Sequence, residues 1–537
     1  MSQHRRRAPA TKVKHRRVLI TVAVTAVVAV ALSLGLWAGE DGGPTVSGRG
    51  TAAEPTPSPT RSYPLSSAPN SIPAVRGHTP ERGPGWRPAR GQRVVVSDAG
   101  LADEGRLIAG ELGMSYGGDR DDTRAGDLRL ALGRGGSANP ESYTLTVRGG
   151  QVTISAPADA GVFYGTRTLK QTVRDGATAP EGVMRDEPAK PQRGLMLDIA
   201  RKHFTAGWIE DRVRELGDLK FNQLGLHFSD DQGFRIESAS HPEIVSAQHL
   251  TKAEVTSIVR LARSRHITVV PEIDSPGHLG AVIAAHPDLQ LRNAQGVPAR
   301  GAVDISKPAA AEIVDDLLDE YAGLFPGDQW HLGGDEYQAL MVSDPQASYP
   351  QLAAAARREY GSGGTVADLA TGWLNDRAAT VRANGRVPRA WNDGFYAGTS
   401  VQPDKDIKVA YWTGKEIGAR VPAEYLAAGR QVVNYNDEFL YYVLGEPQTF
   451  VYPTGQRIYE QWTPRVLRGT EAVPAQYDAQ ILGGSLAVWC DLANSQTQDQ
   501  VAAGIRMPLR ATVQKLWDPT RPELTWAEFG KLADQLG

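Results

Sequence analysis

Eight short apolar runs separated by helical stretches, beginning near Pro191, constrain this chain more than any other feature. They read GLMLDIA, QLGLHFS, ITVVPEID, QWHLGGDE, RVPRAWND, IKVAYWTG, RQVVNYND and ILGGSLAVWCD. Short apolar runs bounded by turn residues suit strands buried on both faces, the condition inside a parallel sheet. Helical patterns stand between several of them, as at 206–219 and 252–264. Strands alternating with helices call for parallel βα units, and eight such units close into a (β/α)8 TIM barrel over 189–537.

A smaller α/β domain is expected upstream, at 89–188. QRVVVSDAG, DLRLALG, SYTLTVRGG and QVTISAPA read as strands, and AGVFYGTRTLK as a turn opening a helix. No catalytic constellation stands out in this part. Residues 39–88 are rich in Gly, Pro, Ser and Thr and are expected to form a disordered spacer. Ahead of them, 18–38 form an uncharged apolar run long enough to span a bilayer, preceded at 1–17 by seven Lys/Arg and no acid. That order reads as a signal peptide or membrane anchor, with the basic tail cytoplasmic and the body secreted or held at the cell surface. The net charge of −3 gives no case for nucleic-acid binding, which needs basic residues clustered on a folded face. With one cysteine, Cys490, no intrachain disulfide can form, so the body relies on its core.

Polar residues gather where the apolar runs end: Asp198 and Arg201, Asp230 and Asp231, Glu272, Asp274 and His278, Asp335 and Glu336, Trp391 and Asp393, Trp412, Asp491. The C-terminal ends of barrel strands are where active sites form. One charge there is ordinarily a loop or capping residue; the same placement on consecutive strands is far harder to dismiss. Trp391, Trp412 and Trp489 share these positions, and indole faces suit the C–H faces of a sugar. Trp489 and Asp491, two apart, face one way while Cys490 faces the other.

Read together, RGLMLDIARKHF, LHFSDDQGFRIES, PEIDSPGH, WHLGGDE and AVWCD resemble, in this order, the motifs of glycoside hydrolase family 20, the β-N-acetylhexosaminidases. GVFYGTRTLKQ resembles the end of the small domain that precedes the family's barrel. The resemblance covers roughly 90–535. It implies no metal or other cofactor and an oligosaccharide or glycoconjugate substrate, from which terminal β-linked N-acetylhexosamine is released with retention. The implied mechanism is assisted by the substrate: its 2-acetamido oxygen attacks the anomeric carbon to give an oxazolinium. Glu336 would be general acid and then base, and Asp335 would accept the acetamido N–H. Arg201 and Asp230 would hold sugar hydroxyls, Asp274 and His278 would tune the catalytic acid, and Trp391, Trp412 and Trp489 would wall the sugar. Tyr441, with Tyr442 as the alternative, would bond the acetamido oxygen.

Two departures stand out. The R-H after the first strand reads Arg201-Lys202-His203, and the W-x-E of the last strand reads Trp489-Cys490-Asp491. The shorter acid resembles the lacto-N-biosidase branch, which releases a disaccharide. Two other readings compete. A metal-dependent barrel hydrolase would use Asp274, His278 and His331, but the first strand lacks the H-x-H such enzymes carry. A non-catalytic sugar-binding surface protein would have no need of an intact acid pair.

Overall fold

The computed structural model describes residues 62–537 apart from 134–136, 397–398, 416–418 and 521. Eight parallel strands form a closed ring: Gln192–Asp198, Gln223–His227, Thr268–Glu272, Gln329–His331, Val387–Trp391, Lys408–Tyr411, Val432–Asn434 and Ile481–Trp489. Each pairs with its successor, and the eighth pairs with both the seventh and the first. The first and eighth strands are buried at every position, as strands flanked by helices on one side and barrel interior on the other must be. Seven of the expected strand runs contribute their centres, and the fourth contributes only its first three residues, because the glycines after His331 turn the chain out of the sheet.

Helices on the outer surface return the chain between strands, among them Ala206–Asp218, Lys252–Arg263, Pro308–Ala322 and Val366–Ala383. Several open on a Thr whose hydroxyl and third-following acid or amide exchange hydrogen bonds, as Thr251 with Glu254 and Thr365 with Asp368. Each such cap contributes about 1 kcal/mol and fixes where the strand-to-helix loop must end.

The upstream domain is a seven-stranded mixed sheet carrying the helices Ala102–Leu112 and Asp159–Thr172. It begins earlier than its sequence suggests. Gly77–Pro80 is an edge strand antiparallel to Gly182–Asp186, and Ser71, Ile72 and Trp86 are buried. The expected spacer at 39–88 therefore does not extend over its last part. Its Pro- and Ser-rich composition hides a short edge strand and one indole whose Nε1 donates to the Gly126 carbonyl at 2.9 Å. The rest of the spacer up to residue 61, the apolar run at 18–38 and the basic tail lie outside the described residues. Among the described residues no helix is long and apolar enough to cross a membrane.

The small domain docks on the barrel through buried ions. Lys220 donates to Asp186 at 3.3 Å and to the Tyr143 hydroxyl at 3.0 Å, beneath the Trp517 ring. Arg193, fully buried, pairs with Glu141 at 2.8 Å. Arg167 bridges Glu111 of the small domain and Asp218 of the first barrel helix. These contacts leave the opposite, C-terminal mouth of the barrel free.

Candidate active site

Strand register builds the floor of the site. Asp198, His227, Glu272 and His331 stand side by side on the first four strands, at or next to their C-terminal ends. Four ionisable side chains in one buried row are held by mutual pairing, since an unpaired buried charge is very costly. The His227 ring lies between two acids, with Nε2 3.0 Å from Asp230 and Nδ1 3.3 Å from Glu272. Asp230 also pairs with Arg201 Nη2 at 2.9 Å, and Arg201 Nη1 reaches Asp198 at 2.9 Å. Asp198 accepts the backbone N–H of Cys490 at 2.9 Å, which ties the first strand to the end of the eighth. The Arg201 guanidinium lies over the Trp489 ring, 5.4 Å from its centroid.

Above this row the fourth strand is followed by Leu332-Gly333-Gly334-Asp335-Glu336. Gly333 has φ 66°, and a Cβ there would stand 1.8 Å from Asp274 Oδ1. Glycine is thus required at the point where the two strands' loops meet. The Gly334 N–H donates to the same Asp274 oxygen at 2.8 Å. Glu336 itself has φ 48°, and its N–H donates to Asp393 at 2.9 Å. The other Asp393 oxygen accepts Trp412 Nε1 at 2.9 Å. A non-glycine residue in the left-handed region, held by the hydrogen bond it donates to the turn after the fifth strand, aims its side chain at the cost of local strain.

His278, also at positive φ (55°), stands at the centre of the acids. Its Nδ1 is 3.2 Å from Asp230, and its Nε2 is 3.6 Å from Asp335 and 3.5 Å from Glu336. Burial disfavours charge on His278, but Asp230 and Asp335 outweigh it and hold the imidazole well above its usual pKa. Burial, then the neighbouring Asp274, pushes Asp335 well above the ordinary carboxylate range, and burial pushes Asp274 up to about 6. Glu336 is shifted the other way, lowered first by its hydrogen bond with His278. Burial and their mutual contact thus favour a shared proton on Asp274 and Asp335, whereas His278 favours the charged form of Glu336.

One cavity of about 590 Å³ is lined by Arg201, His278, Asp335, Glu336, Trp412, Tyr441, Trp489 and Asp491. Eight of the eleven residues singled out in the sequence therefore meet in one place. The other three, Asp230, Asp274 and Trp391, lie beneath its surface, each at most 1% exposed. Trp412 and Tyr441 stack in parallel, 5.7 Å and 3° apart, and Phe450 continues the stack at 6.3 Å from Tyr441. The two tyrosines face different ways. Tyr441 faces the cavity, while the Tyr442 hydroxyl donates to Gln496 and its ring packs on Tyr452. Asp491 is an exposed rim carboxylate beside Leu492.

The metal trio read as an alternative is not brought together among the described residues. His331 turns toward Glu272, at 3.3 Å, and its ring packs on Trp391. Asp274 and His278 instead gather with Asp335, their ligand atoms within 4.8 Å of one another. His227 and the rim loop with Gln448, Thr449 and Phe450 also belong to the site without a clear signal in the sequence. His227 ends an apolar strand, where an isolated histidine reads as core, and the loop has no motif of its own.

The sequence also bears out this architecture by comparison. Residues 191–514 match the catalytic domain of glycosyl hydrolase family 20, and 68–187 match domain 2 of the same family. The lacto-N-biosidase of Bifidobacterium bifidum is 29% identical over 482 residues, which span 87% of this chain and 42% of that protein. The beta-N-acetylhexosaminidase of Cellulomonas fimi is 32% identical over 286 residues, 49% of this chain and 56% of that protein. The chain thus spans about half the length of these curated relatives. Among solved structures, a mutant Streptomyces plicatus beta-hexosaminidase in complex with product (GlcNAc) superposes with TM-score 0.68 at 25% identity, over 89% of this chain and 95% of that one. A Flavobacterium johnsoniae chitobiase shares the fold with TM-score 0.71, over 87% of this chain and 72% of that one. With both family domains matched in order, and the acid pair at the mouth of a closed barrel, the chain belongs to glycosyl hydrolase family 20.

Proposed function

We propose that this protein hydrolyses terminal β-linked N-acetylhexosamine from glycans with retention, using the substrate's acetamido group as nucleophile. The observation that carries the reading is the convergence of Asp335, Glu336 and His278 on one cavity walled by Trp412, Tyr441 and Trp489. Glu336 donates its proton to the glycosidic oxygen as the C1–O bond breaks. The acetamido oxygen attacks C1, and the aglycone leaves as an alcohol. Water deprotonated by Glu336 then attacks C1 and opens the oxazolinium. Asp335 accepts the acetamido N–H and stabilises the positive charge that grows on that group. Tyr441 bonds the acetamido oxygen, Arg201 and Asp230 hold ring hydroxyls, and Asp274 and His278 set the protonation of the acid pair. A bound sugar strips water from Glu336, which favours its neutral form, and offers Asp335 an N–H best accepted by a carboxylate. Occupancy therefore moves the proton from the Asp335 side toward Glu336.

A finer reading is release of a disaccharide. It is supported by the Asp at position 491, shorter by one methylene than the expected Glu. It is supported also by a cavity extended past Trp489 to Leu492 and Phe450, and by the lacto-N-biosidase relative. Digestion of chitobiose and of lacto-N-tetraose with product analysis tests both readings. GlcNAc from chitobiose supports exo-cleavage, and lacto-N-biose from the tetraose supports the disaccharide reading. A thiazoline analogue of the oxazolinium that fails to inhibit would remove substrate assistance. We also propose that 18–38 direct export and leave the body outside the cell, either secreted or anchored. Recovery of the full chain in the cytoplasmic fraction would refute this.

A further inference from the structure

Glu272 does not touch the cavity, yet it meets both halves of the site. Its Oε1 accepts Trp391 Nε1 at 2.7 Å, and its Oε2 is 3.3 Å from His227 Nδ1. Both partners are buried, as is Glu272 at 2% exposure. From His227 the contacts run to Asp230, then to Arg201, Asp198 and the backbone at Cys490. From Trp391 they run to the aromatic side, because its ring packs 5.8 Å from Trp489 and 4.5 Å from His331. The set touches the first five strands and the eighth without a gap. A carboxylate with two oxygens aimed at two different functional partners fixes two directions at once, which a methyl-sized or singly bonded residue cannot do.

We infer that Glu272 is a positioning residue that couples the hydroxyl-binding Arg201–Asp230 pair to the tryptophan floor, so that the sugar ring and its acetamido arm are held in one geometry. The inference rests on the proposed hydrolase reading. Burial would raise Glu272, but His331, His227 and the Trp391 N–H outweigh it and hold the carboxyl at about 2, so it stays charged across the working pH range. His227, raised by Glu272 and Asp230 against its burial, stays an imidazolium. Glu272→Gln keeps the shape and an acceptor for Trp391 but removes the charge that holds His227 protonated. Its amide can then donate to a neutral His227 Nδ1. Pairing survives, and the field on Asp230 and Arg201 changes.

The test is a double-mutant cycle of Glu272→Gln with Trp391→Phe, which keeps a ring and lacks the indole N–H. Each variant is assayed on a chromogenic GlcNAc glycoside and on the chromogenic lacto-N-bioside. In parallel, the indole N–H resonances of wild type and Glu272→Gln are recorded. Expected are melting temperatures close to wild type, a fall in kcat of about 10–100-fold with KM changed less than about threefold, and a double variant no worse than the poorer single one by more than about twofold. The Trp391 indole proton, downfield in wild type because it donates to a carboxylate, should move upfield in Glu272→Gln. Losses that multiply in the double variant, a change confined to KM, or an unshifted Trp391 resonance would each overturn the inference. A wild type inactive on both glycosides would instead sink the hydrolase reading, and the resonance would still report on Glu272.

Discussion

Glu336 projects from a left-handed backbone position between His278 and the open cavity, with its side chain 40% exposed. That exposure lets an aglycone oxygen reach it, and the nearby imidazole lets its proton be exchanged. Glu336→Gln is therefore expected to lower kcat on natural glycosides by about 10²–10⁴-fold. On nitrophenyl glycosides, whose leaving group needs little protonation, the loss should be smaller. Equal losses on both substrate types would take the general-acid role from Glu336. At the rim, Asp491 falls short of a Glu by one C–C bond, roughly 1.5 Å. A sugar hydroxyl left without its partner once the bound sugar has displaced water from the rim costs up to about 1–3 kcal/mol. Asp491→Glu should recover that bond and narrow the cavity near Leu492. The ratio of kcat/KM for nitrophenyl GlcNAc over nitrophenyl lacto-N-bioside is then expected to rise by about 10-fold, and an unchanged ratio would mean that this position does not set subsite length.

At the scale of elements, the turn after the fourth strand depends on two glycines for different reasons. Gly333 has no room for a Cβ because Asp274 is already there, whereas a Cβ on Gly334 would meet only Gly394 and Ala390 at ordinary contact distance. Both substitutions strain the backbone, by about 1–2 kcal/mol each for a non-glycine residue at positive φ. Gly333→Ala must in addition push Asp274 away, and Asp274 holds both the Gly334 N–H and the Asp335 proton. The expected outcome is a kcat loss of about 10²-fold or more for Gly333→Ala and a clearly smaller loss for Gly334→Ala, measured with melting temperatures alongside. Equal losses would remove the steric argument. Elements with strong local signals were legible from the sequence: the eight strands, the helices at 206–219 and 252–264, and the acids placed by strand ends. Three features were not. The edge strand Gly77–Pro80 lies in a Pro- and Ser-rich stretch and owes its existence to pairing with Gly182–Asp186. His227 gains its meaning from Asp230 and Glu272, one in the next loop and the other on the next strand. The short fourth strand ends early because Gly333 and Gly334, at positive φ, turn the chain toward Asp274, a contact that no strand pattern reports.

Across the whole molecule, the small domain and the barrel are joined at the end opposite the site, and Lys220 is the cation at the centre of that joint. It is fully buried, and burial, opposed by Asp186, pushes its pKa down to about 8 from the ordinary 10.5. At neutral pH it is still charged, so it balances Asp186, which also accepts from Tyr143, Trp517 and the Arg76 backbone. Lys220→Met leaves Asp186 with neutral donors alone, and breaking a buried pair on one side costs about 3–5 kcal/mol. The melting temperature should fall by several degrees or more, while kcat at saturating substrate changes less than about twofold, because no Lys220 contact reaches the mouth of the barrel. The pH dependence gives a second, signed readout. Between about 8 and 10.5 the unfolded lysine binds a proton that the folded one has lost, so the wild type gains stability from this group as pH rises through that window. Below about 8 both states hold the proton, and the group's contribution is flat. The gap in melting temperature between wild type and Lys220→Met should therefore widen from pH 7 to pH 10. A gap that stays constant would mean Lys220 titrates as it does in the unfolded chain, and a variant as stable as the wild type would mean Asp186 needs no cation to join the two domains.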